Sequence, residues 1–411
     1  MKYIVVIPDG AADYPINEIG GLTPLQVART PNMDWLASNG IAGSVRNIPQ
    51  GFPPGSDVAN LSILGYDPKV YYTGRAPLEA VSMGLNLSKN DVAYRCNLVT
   101  LKFSDKKRIF MEDYSAGHIT TEEAKILIED LDKKLGSDTL RFYPGVSYRH
   151  IMLWKNGSEE VECTPPHDIT GREISMFLPI GRHAQFLKEI IFKSMDILKD
   201  HPVNKKRTSE GKKPANSIWL WGQGRTPSLP KFQEKYGLSG ALISAVDLTK
   251  GIGILAGFHI INVPGATGWI DTNYSGKAEY ALNALERVDF VYVHIEAPDE
   301  AGHQGDYKLK IKAIEDIDNI VVGRILEEAP RRFKDFRILL LPDHPTPVTI
   351  KTHTAEPVPF VIYDSSNSEQ REASHQEHTN KRKFSEEILN HPDLVIEEGY
   401  KLMDLFILKN V

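Results

Sequence analysis

The sequence predicts an α/β fold in which a mainly parallel sheet lies between helices and a smaller α+β domain is inserted. Helix and strand signals alternate along the 411 residues, as they do where helical crossovers join parallel strands. Several strand candidates are continuous apolar runs, which are typical of strands covered on both faces. Between 87 and 180 the pattern changes to strands grouped around one helix, and this change indicates the second domain.

Six apolar segments are the strand candidates outside the insertion. They are Tyr3–Ile7, Ile218–Trp221, Leu255–Val263, Phe290–Ile295, Arg337–Leu341 and Pro359–Tyr363. Helices are predicted between them, among them Phe186–Leu198 and Leu309–Glu328, because apolar residues recur there at helical spacing. We therefore assign 1–86 and 181–411 to the core domain.

The inserted domain, 87–180, carries its own strand and helix signals. The predicted strands are Arg95–Phe103, Leu140–Tyr143 and Tyr148–Trp154. A helix is expected to begin at Thr120, because Glu123 three residues later completes a capping box. Two polar tracts outside the insertion, Asn204–Pro214 and Asp364–Arg382, are predicted to be surface loops.

Composition and charge narrow the classes of function. The formal net charge is -6, which does not indicate a strongly basic face for nucleic acid. Two cysteines, Cys96 and Cys163, are too few for a disulfide framework or for a structural zinc site of their own. No apolar stretch approaches the roughly 20 residues that span a bilayer, and the N-terminal apolar run lacks the marks of a signal peptide. We expect a cytoplasmic protein without a membrane or nucleic-acid partner.

Three segments place carboxylates and imidazoles just after predicted strands. The residues are Asp9, Asp299, His303, Asp343, His344 and His353. Because ligand sites in parallel α/β sheets form beyond the carboxyl ends of the strands, one sheet edge can collect all six. Six such ligands exceed the needs of one catalytic metal ion and favour two divalent ions, an arrangement suited to phosphoryl transfer. Each residue alone could instead serve in a turn, in a helix cap or on the surface.

Ser56 lies where a segment rich in proline and glycine gives way to an apolar helical run. The backbone N–H groups and the dipole of a helix N-terminus favour a phosphate group or a developing alkoxide. A serine at this place is most often only an N-cap, and the local sequence by itself favours that alternative.

In their order along the chain, these residues resemble the alkaline phosphatase superfamily and, more closely, the archaeal-type cofactor-independent phosphoglycerate mutases. Further matching segments are Thr30–Asp34, Leu61–Pro68, Gly74–Arg75, Gly265–Gly268 and Glu356–Pro359. The resemblance runs nearly from end to end. It implies an alkaline phosphatase-like core and a glycolytic interconversion of 3-phosphoglycerate and 2-phosphoglycerate, with no 2,3-bisphosphoglycerate. Ser56 would carry the phosphate as phosphoserine.

The resemblance also implies roles for the other residues. One metal ion (Mn, Zn or Mg) would be held by Asp9, Asp343, His344 and the Ser56 oxygen, and a second by Asp299, His303 and His353. Lys250 matches a lysine that contacts phosphate in related mutases, and Arg75 is a further candidate for substrate binding. The inserted domain would close over the substrate.

Two features differ from the archaeal mutases. The segment Glu112–His118 lacks their arginines, and Asn60 stands where a histidine is usual. Ser115–His118, Gly145–His150 and Cys163–Asp168 resemble instead a sister branch of proposed homoserine kinases. These matches make His118, Arg149, His150 and His167 candidate substrate contacts. In a mutase, the missing anion clamp would have to come from one of Arg75, Arg95, Arg149 and Arg225.

The leading interpretation is therefore a phosphoglycerate mutase that acts on a small phosphorylated metabolite. An ATP-dependent homoserine kinase of the same superfamily is the alternative, and ATP would be needed only in that case. A phosphatase or sulfatase is less favoured, because a covering domain excludes water. A non-catalytic binding protein is less favoured because the metal ligands and Ser56 are all present. The sequence does not determine the phosphate acceptor, the metal or the oligomeric state.

Overall fold

The computed structural model describes residues 1–104, 108–367 and 382–408. Two compact units are present: unit 1 comprises Met1–Tyr72 and Ser228–Val411, and unit 2 comprises Thr73–Pro227. The sequence-based insertion, 87–180, falls within the range of unit 2. Of the polar tract predicted to be a loop, residues 368–381 lie outside the described part of the chain.

Unit 1 alternates strands with helices. Its strands are β1 (Lys2–Pro8), β2 (Ile41–Val45), β10 (Gly240–Ile243), β11 (His259–Ile260), β12 (Phe290–Ile295), β13 (Phe336–Leu340), β14 (Val358–Asp364) and β15 (Leu394–Ile396). Its helices are α1 (Pro24–Val27), α2 (Pro31–Asn39), α3 (Ser56–Ile63), α4 (Pro68–Tyr71), α9 (Phe232–Tyr236), α10 (Asp247–Ala256), α11 (Tyr274–Ala284), α12 (Ala297–Gln304), α13 (Tyr307–Asp316), α14 (Gly323–Arg332) and α15 (Lys401–Leu408). A π-helical segment, Ile317–Val322, joins α13 to α14. Short 3₁₀ turns cover Asn17–Ile19, Ser365–Asn367 and Glu386–Asn390.

The eight strands of unit 1 form one sheet in the order β11-β10-β12-β1-β13-β14-β2-β15. Every neighbouring pair is parallel except the two pairs that β14 makes, with β13 and with β2. The central strand β1 is buried from Tyr3 to Pro8, as a strand covered on both faces must be. Helices α2, α10 and α11 pack against the sheet. The predicted α/β class with a mainly parallel sheet is confirmed.

Unit 2 is built on antiparallel pairing. Its strands are β3 (Val92–Phe103), β4 (Ile109–Asp113), β5 (Leu140–Tyr143), β6 (Arg149–Trp154), β7 (Val161–Glu162), β8 (Ile180–Gly181) and β9 (Ser217–Gly224), and its helices are α5 (Arg75–Ser82), α6 (Thr121–Leu135), α7 (Ala184–Leu198) and α8 (Pro202–Ser209). Two 3₁₀ turns cover Pro166–Ile169 and Ile174–Phe177. The long strand β3 pairs with β4, β6 and β9. Residues of β3, α6 and α7 pack together in one hydrophobic core. The oxygen of Thr120 accepts a hydrogen bond from the Glu123 backbone, so α6 has the predicted N-cap.

Two local predictions were wrong, and one correctly predicted strand belongs to unit 2. The segment Ile218–Trp221 is a strand, but it pairs antiparallel with β3 in unit 2 and does not join the large sheet. Most of Leu255–Val263 is not strand, because α10 continues to Ala256 and only His259 and Ile260 pair with β10. The tract Asn204–Pro214 is largely the helix α8, whose Arg207 is buried and hydrogen-bonds the Ala116 carbonyl.

None of the helices described above combines the length and the apolar character that a membrane-spanning helix needs.

A buried ion pair fastens two of the loops that follow sheet strands. Lys310 and Asp13 have fully buried side chains, and their charged atoms are 2.7 Å apart. The Lys310 ammonium also donates to the carbonyls of Ala12 and Thr346, at 3.1 and 2.8 Å. Asp13 in turn accepts from the Val348 backbone at 3.2 Å. Residues 12–13 after β1 and residues 346–348 after β13 are thereby held together.

We predict that Lys310→Met lowers the free energy of unfolding by about 3–5 kcal/mol, because Asp13 would remain buried without its counter-charge. The measurement is urea-induced unfolding followed by circular dichroism. Lys312→Met on the same helix is the matched control, since the Lys312 side chain is 60% exposed in its pair with Asp316. That exposed pair contributes about 0.5 kcal/mol or less. Equal unfolding midpoints for the two variants would contradict the prediction.

Candidate active site

The loops that follow β1, β12 and β13 meet at one edge of the large sheet. β1 lies between the other two strands, with Pro8 opposite Ile295 and Val6 opposite Leu340. The next residues along the chain therefore meet: Asp9 after β1, α12 after β12, and Asp343 with His344 after β13. This is the crevice beyond the carboxyl ends of the strands where parallel α/β sheets bind ligands.

Asp299 is the centre of one group of side chains. It lies in the first turn of α12, and His303 lies one turn further along the same helix. The Asp299 carboxylate is 3.2 Å from His303 Nε2 and 3.4 Å from His353 Nε2. The two imidazole Nε2 atoms are 3.0 Å apart. Two nitrogens and a carboxylate thus converge on one small volume.

His344 connects this group to Ser56. Thr346 donates a hydrogen bond to Asp299 Oδ1 at 2.5 Å, so its oxygen is left to accept from His344 Nδ1, 3.2 Å away. A proton on Nδ1 leaves the lone pair of the neutral ring on Nε2. His344 Nε2 lies 3.0 Å from Ser56 Oγ. Burial lowers the pKa of His344 to about 4, so the ring is neutral near pH 7.

Ser56 is the first residue of α3, and Gly55 holds the cap position without a side-chain cap. Its hydroxyl faces His344, so the simple N-cap interpretation does not describe it. Asn60, one turn along α3, donates to the Ser56 carbonyl at 2.8 Å and to Asp343 Oδ2 at 2.9 Å. Tyr292 donates to the Asn60 oxygen at 2.5 Å and fixes the orientation of that amide.

A second group contains one residue that the sequence analysis missed. Asp9, Asp343 and His294 each offer a ligand atom, and these atoms lie within 4.8 Å of one another. A similar group contains Asp299, His344 and His353. The resemblance had placed His344 with Asp9 and Asp343 and had not included His294. The available signal was a histidine at the end of the apolar strand β12, five residues before Asp299.

The charges of this edge fit divalent cations. Burial and the neighbouring Asp343 carboxylate raise the pKa of Asp9 well above its ordinary value. Asp9 Oδ1 is buried and has no hydrogen-bond partner among the described residues. A cation would offset both the repulsion between the carboxylates and the unsatisfied oxygen. Carboxylate and imidazole donors of this kind suit Mn²⁺ and Zn²⁺.

The substrate candidates of unit 2 divide into two kinds. His118, Arg149 and His167 are exposed, whereas His150 is buried. The Arg149 guanidinium lies 4.8 Å from the ring centre of Tyr148, and the His118 ring packs against the edge of the same tyrosine. The ring of His167 is 5.2 Å from that of Trp221. His150 accepts a hydrogen bond from the Gly145 backbone, and burial lowers its pKa to about 3.

Arg75 and Arg149 of unit 2 lie close enough to Arg95 to repel its charge. Burial lowers the pKa of Arg95 to about 10; Glu79 opposes this shift, and Arg75 and Arg149 add to it. The Arg95 guanidinium pairs with Glu79 at 3.0 Å and lies over the Trp221 ring at 4.3 Å. Arg225 is occupied elsewhere, by Glu159 and the Gly157 carbonyl. Lys250, in unit 1, is a partly buried residue of α10, a helix that packs on α3.

The amino-acid sequence has extensive similarity to curated proteins. A Methanosarcina barkeri protein named 2,3-bisphosphoglycerate-independent phosphoglycerate mutase is 56% identical over 93% of this chain and 95% of its own length. A Geobacter sulfurreducens protein named as a probable enzyme of that kind is 52% identical over 99% of this chain and 100% of its own. The family profile described as 2,3-bisphosphoglycerate-independent phosphoglycerate mutase matches residues 37–204.

The chain belongs to the family of 2,3-bisphosphoglycerate-independent phosphoglycerate mutases.

Solved structures agree with this family assignment. A Pyrococcus horikoshii protein has a TM-score of 0.80 and 33% identity, over 100% of this chain and 98% of that one. A cofactor-independent phosphoglycerate mutase from Thermoplasma acidophilum has a TM-score of 0.63 and 29% identity, over 99% of both chains. The predicted family is confirmed. No observation on the described residues favours the homoserine kinase alternative.

We predict that Asp299→Ala weakens the binding of Mn²⁺ by about 100-fold or more at one site, because His303 and His353 would lose the carboxylate between them. Isothermal titration of the purified protein with Mn²⁺ measures this directly. Glu300→Ala is the matched control, since this neighbouring carboxylate on α12 lies outside both candidate groups. The prediction fails if the two variants bind Mn²⁺ equally well.

Proposed function

We propose that the chain interconverts 3-phosphoglycerate and 2-phosphoglycerate without 2,3-bisphosphoglycerate, in cytoplasmic glycolysis. Membership of the mutase family supports this activity. The observation that carries it is Ser56 Oγ, 3.0 Å from His344 Nε2 at the edge of a buried carboxylate and imidazole cluster. A hydroxyl in that place can accept a phosphoryl group and return it to the second hydroxyl of the same glycerate.

The reaction consists of two phosphoryl transfers in opposite directions. Ser56 Oγ forms a bond to phosphorus and gives up its proton, while the bond from phosphorus to the glycerate oxygen breaks and that oxygen takes a proton. In the second transfer the other glycerate hydroxyl attacks the phosphoserine, and the serine hydroxyl is restored. The N-terminal N–H groups of α3 lie next to Ser56 and favour the negative charge that passes through it.

Two divalent ions of Mn, Zn or Mg would be held by the residues at this sheet edge. When bound, such ions lower the pKa of a coordinated hydroxyl and offset the charge on the transferring phosphoryl oxygens. The remaining work belongs to the chain. Thr346 holds the His344 ring with its Nε2 lone pair toward Ser56 Oγ, and Asn60 ties the first turn of α3 to Asp343.

The arginines of unit 2 suit recognition of the anionic substrate. Planar guanidinium groups bind carboxylate and phosphate oxygens in pairs. Arg75 and Arg149 each repel the charge of Arg95, and a bound anion would relieve that repulsion. His118 packs against Tyr148, as Arg149 does, and His167 packs against Trp221, as Arg95 does, so both histidines are further candidate contacts. His150 is buried and uncharged, so it would act by position and not by charge. Lys250 is the candidate phosphate contact on unit 1.

We predict that the purified protein with Mn²⁺ converts 3-phosphoglycerate to 2-phosphoglycerate and that Ser56→Ala abolishes this conversion. The alanine variant lacks the oxygen that must bond to phosphorus. The measurement is a coupled mutase assay, combined with mass spectrometry of the enzyme under turnover to detect phosphorylated Ser56.

Ser62→Ala is the matched control for that variant. Ser62 lies on the same helix, and its buried hydroxyl has no hydrogen-bond partner among the described residues. Its loss should leave turnover unchanged. ATP-dependent phosphorylation of homoserine, in the absence of mutase activity, would overturn the proposed function.

We predict that Arg149→Met raises the KM for 3-phosphoglycerate about 10- to 100-fold, because a hydrogen bond to a charged group contributes about 1.5–3 kcal/mol. If kcat changes less than KM does, Arg149 contacts the substrate in the ground state as well as in the transition state. Arg182→Met is the control, since the Arg182 side chain is 73% exposed in its pair with Glu160. An unchanged KM in the Arg149 variant would exclude this residue from substrate binding.

A further inference from the structure

A line of buried charged groups leads from α11 to Asp9. Lys277 donates to Glu296 Oε2 at 2.8 Å, and Glu296 Oε1 is 3.2 Å from His294 Nδ1. On its other side, His294 Nε2 is 3.3 Å from Asp9 Oδ2. None of the four residues is more than 3% exposed. Burying charged groups is costly, so such a line needs a reason beyond stability.

The surroundings of Glu296 decide which nitrogen of His294 carries the proton. Glu296 Oε1 accepts from the Ala245 backbone at 2.7 Å and from the Ser244 hydroxyl at 2.8 Å. Lys277 donates to the other oxygen, so the carboxylate acts as an acceptor throughout. His294 Nδ1 must then donate to it, and an imidazole that carries a single proton on Nδ1 has its lone pair on Nε2.

Two side chains, Asn60 and Asp9, lie close to Nε2 on the far side of the ring. The Asn60 amide nitrogen is 3.5 Å from His294 Nε2, and its orientation is fixed because Tyr292 donates to the amide oxygen. Both of its N–H groups already donate, to the Ser56 carbonyl and to Asp343 Oδ2, so this amide does not satisfy Nε2. Asp9 Oδ2 lies beside the same lone pair, and Asp9 Oδ1 is buried without a hydrogen-bond partner. Two electron-rich atoms 3.3 Å apart repel each other unless a proton or a metal cation lies between them.

We propose that His294 Nε2 is a metal ligand, together with Asp9 and Asp343, and that Glu296 positions it. Ligating histidines almost always donate their other ring N–H to a carboxylate or a carbonyl, and the carboxylate is in turn hydrogen-bonded. Glu296, with Lys277, Ser244 and the Ala245 backbone, has this arrangement. One nitrogen and two carboxylates favour Zn²⁺ or Mn²⁺ over Mg²⁺.

This inference rests on the metal dependence in the proposed function, but metal binding by itself tests it. Isothermal titration with Zn²⁺ and, separately, with Mg²⁺ is carried out on the wild type, His294→Ala and His294→Gln. We expect both variants to lose about 100-fold or more in Zn²⁺ affinity at one site and much less in Mg²⁺ affinity, because an imidazole ligand contributes more to Zn²⁺. Glu296→Gln should lose about 10- to 100-fold in Zn²⁺ affinity, as positioning residues do.

His259→Ala is the matched control, since this histidine of unit 1 is exposed on β11 and should leave both affinities unchanged. If His294 were instead a hydrogen-bond donor to Asp9, the amide of His294→Gln would replace it and Zn²⁺ affinity would stay near that of the wild type. That result, or equal losses for Zn²⁺ and Mg²⁺, overturns the proposal. Intact Zn²⁺ binding without mutase activity would overturn the proposed function and leave the ligand assignment in place.

Discussion

The parallel register of β1 between β12 and β13 is the constraint on which the candidate site depends. Because Pro8 is opposite Ile295 and Val6 is opposite Leu340, all three strands end at the same height. Residues that are more than 280 positions apart in the sequence, such as Asp9 and Asp299, thereby become neighbours. A shift of one residue would turn Asp9 to the other face of the sheet, since side chains alternate along a strand. The backbone pairing thus determines the ligand geometry.

This gathering of charge at one edge requires compensation elsewhere. Two fully buried lysines supply positive charge: Lys310 is paired with Asp13, and Lys277 is paired with Glu296. Lys310 holds the loops after β1 and β13 together, and Lys277 fixes the carboxylate that faces His294. Within the described part of the chain, Asp9 Oδ1 remains without a hydrogen-bond partner at this edge. This sheet edge has two buried lysine pairs beside it and an Asp9 oxygen without a hydrogen-bond donor, so it is suited to a bound metal cation.

Unit 2 shows how far local patterns can predict a structure. The cap of α6 is a short-range feature, so Thr120 and Glu123 were enough to predict it. The place of β9 is not a short-range feature. The apolar run in Ser217–Gly224 could lie in either sheet, and only its pairing with β3 decides between them. Likewise, α8 is rich in lysine and arginine, yet Arg207 is buried, because the Ala116 carbonyl and Glu123 satisfy its charge. Charge patterns alone do not reveal such partners.

The sequence by itself determined the α/β class and most of the residues that converge at the sheet edge, because apolar runs followed by Asp or His are local signals. The family followed from the resemblance of its ordered motifs. The tertiary structure alone decided which of these residues face one another. It put His344 next to Ser56 and gave Asp9 a neighbour, His294, which looked like part of a buried strand. It also brought Arg75, Arg95 and Arg149 together in unit 2. The physical reason is that ligand distances and like-charge repulsion depend on separations in space, which strand pairing and helix packing set.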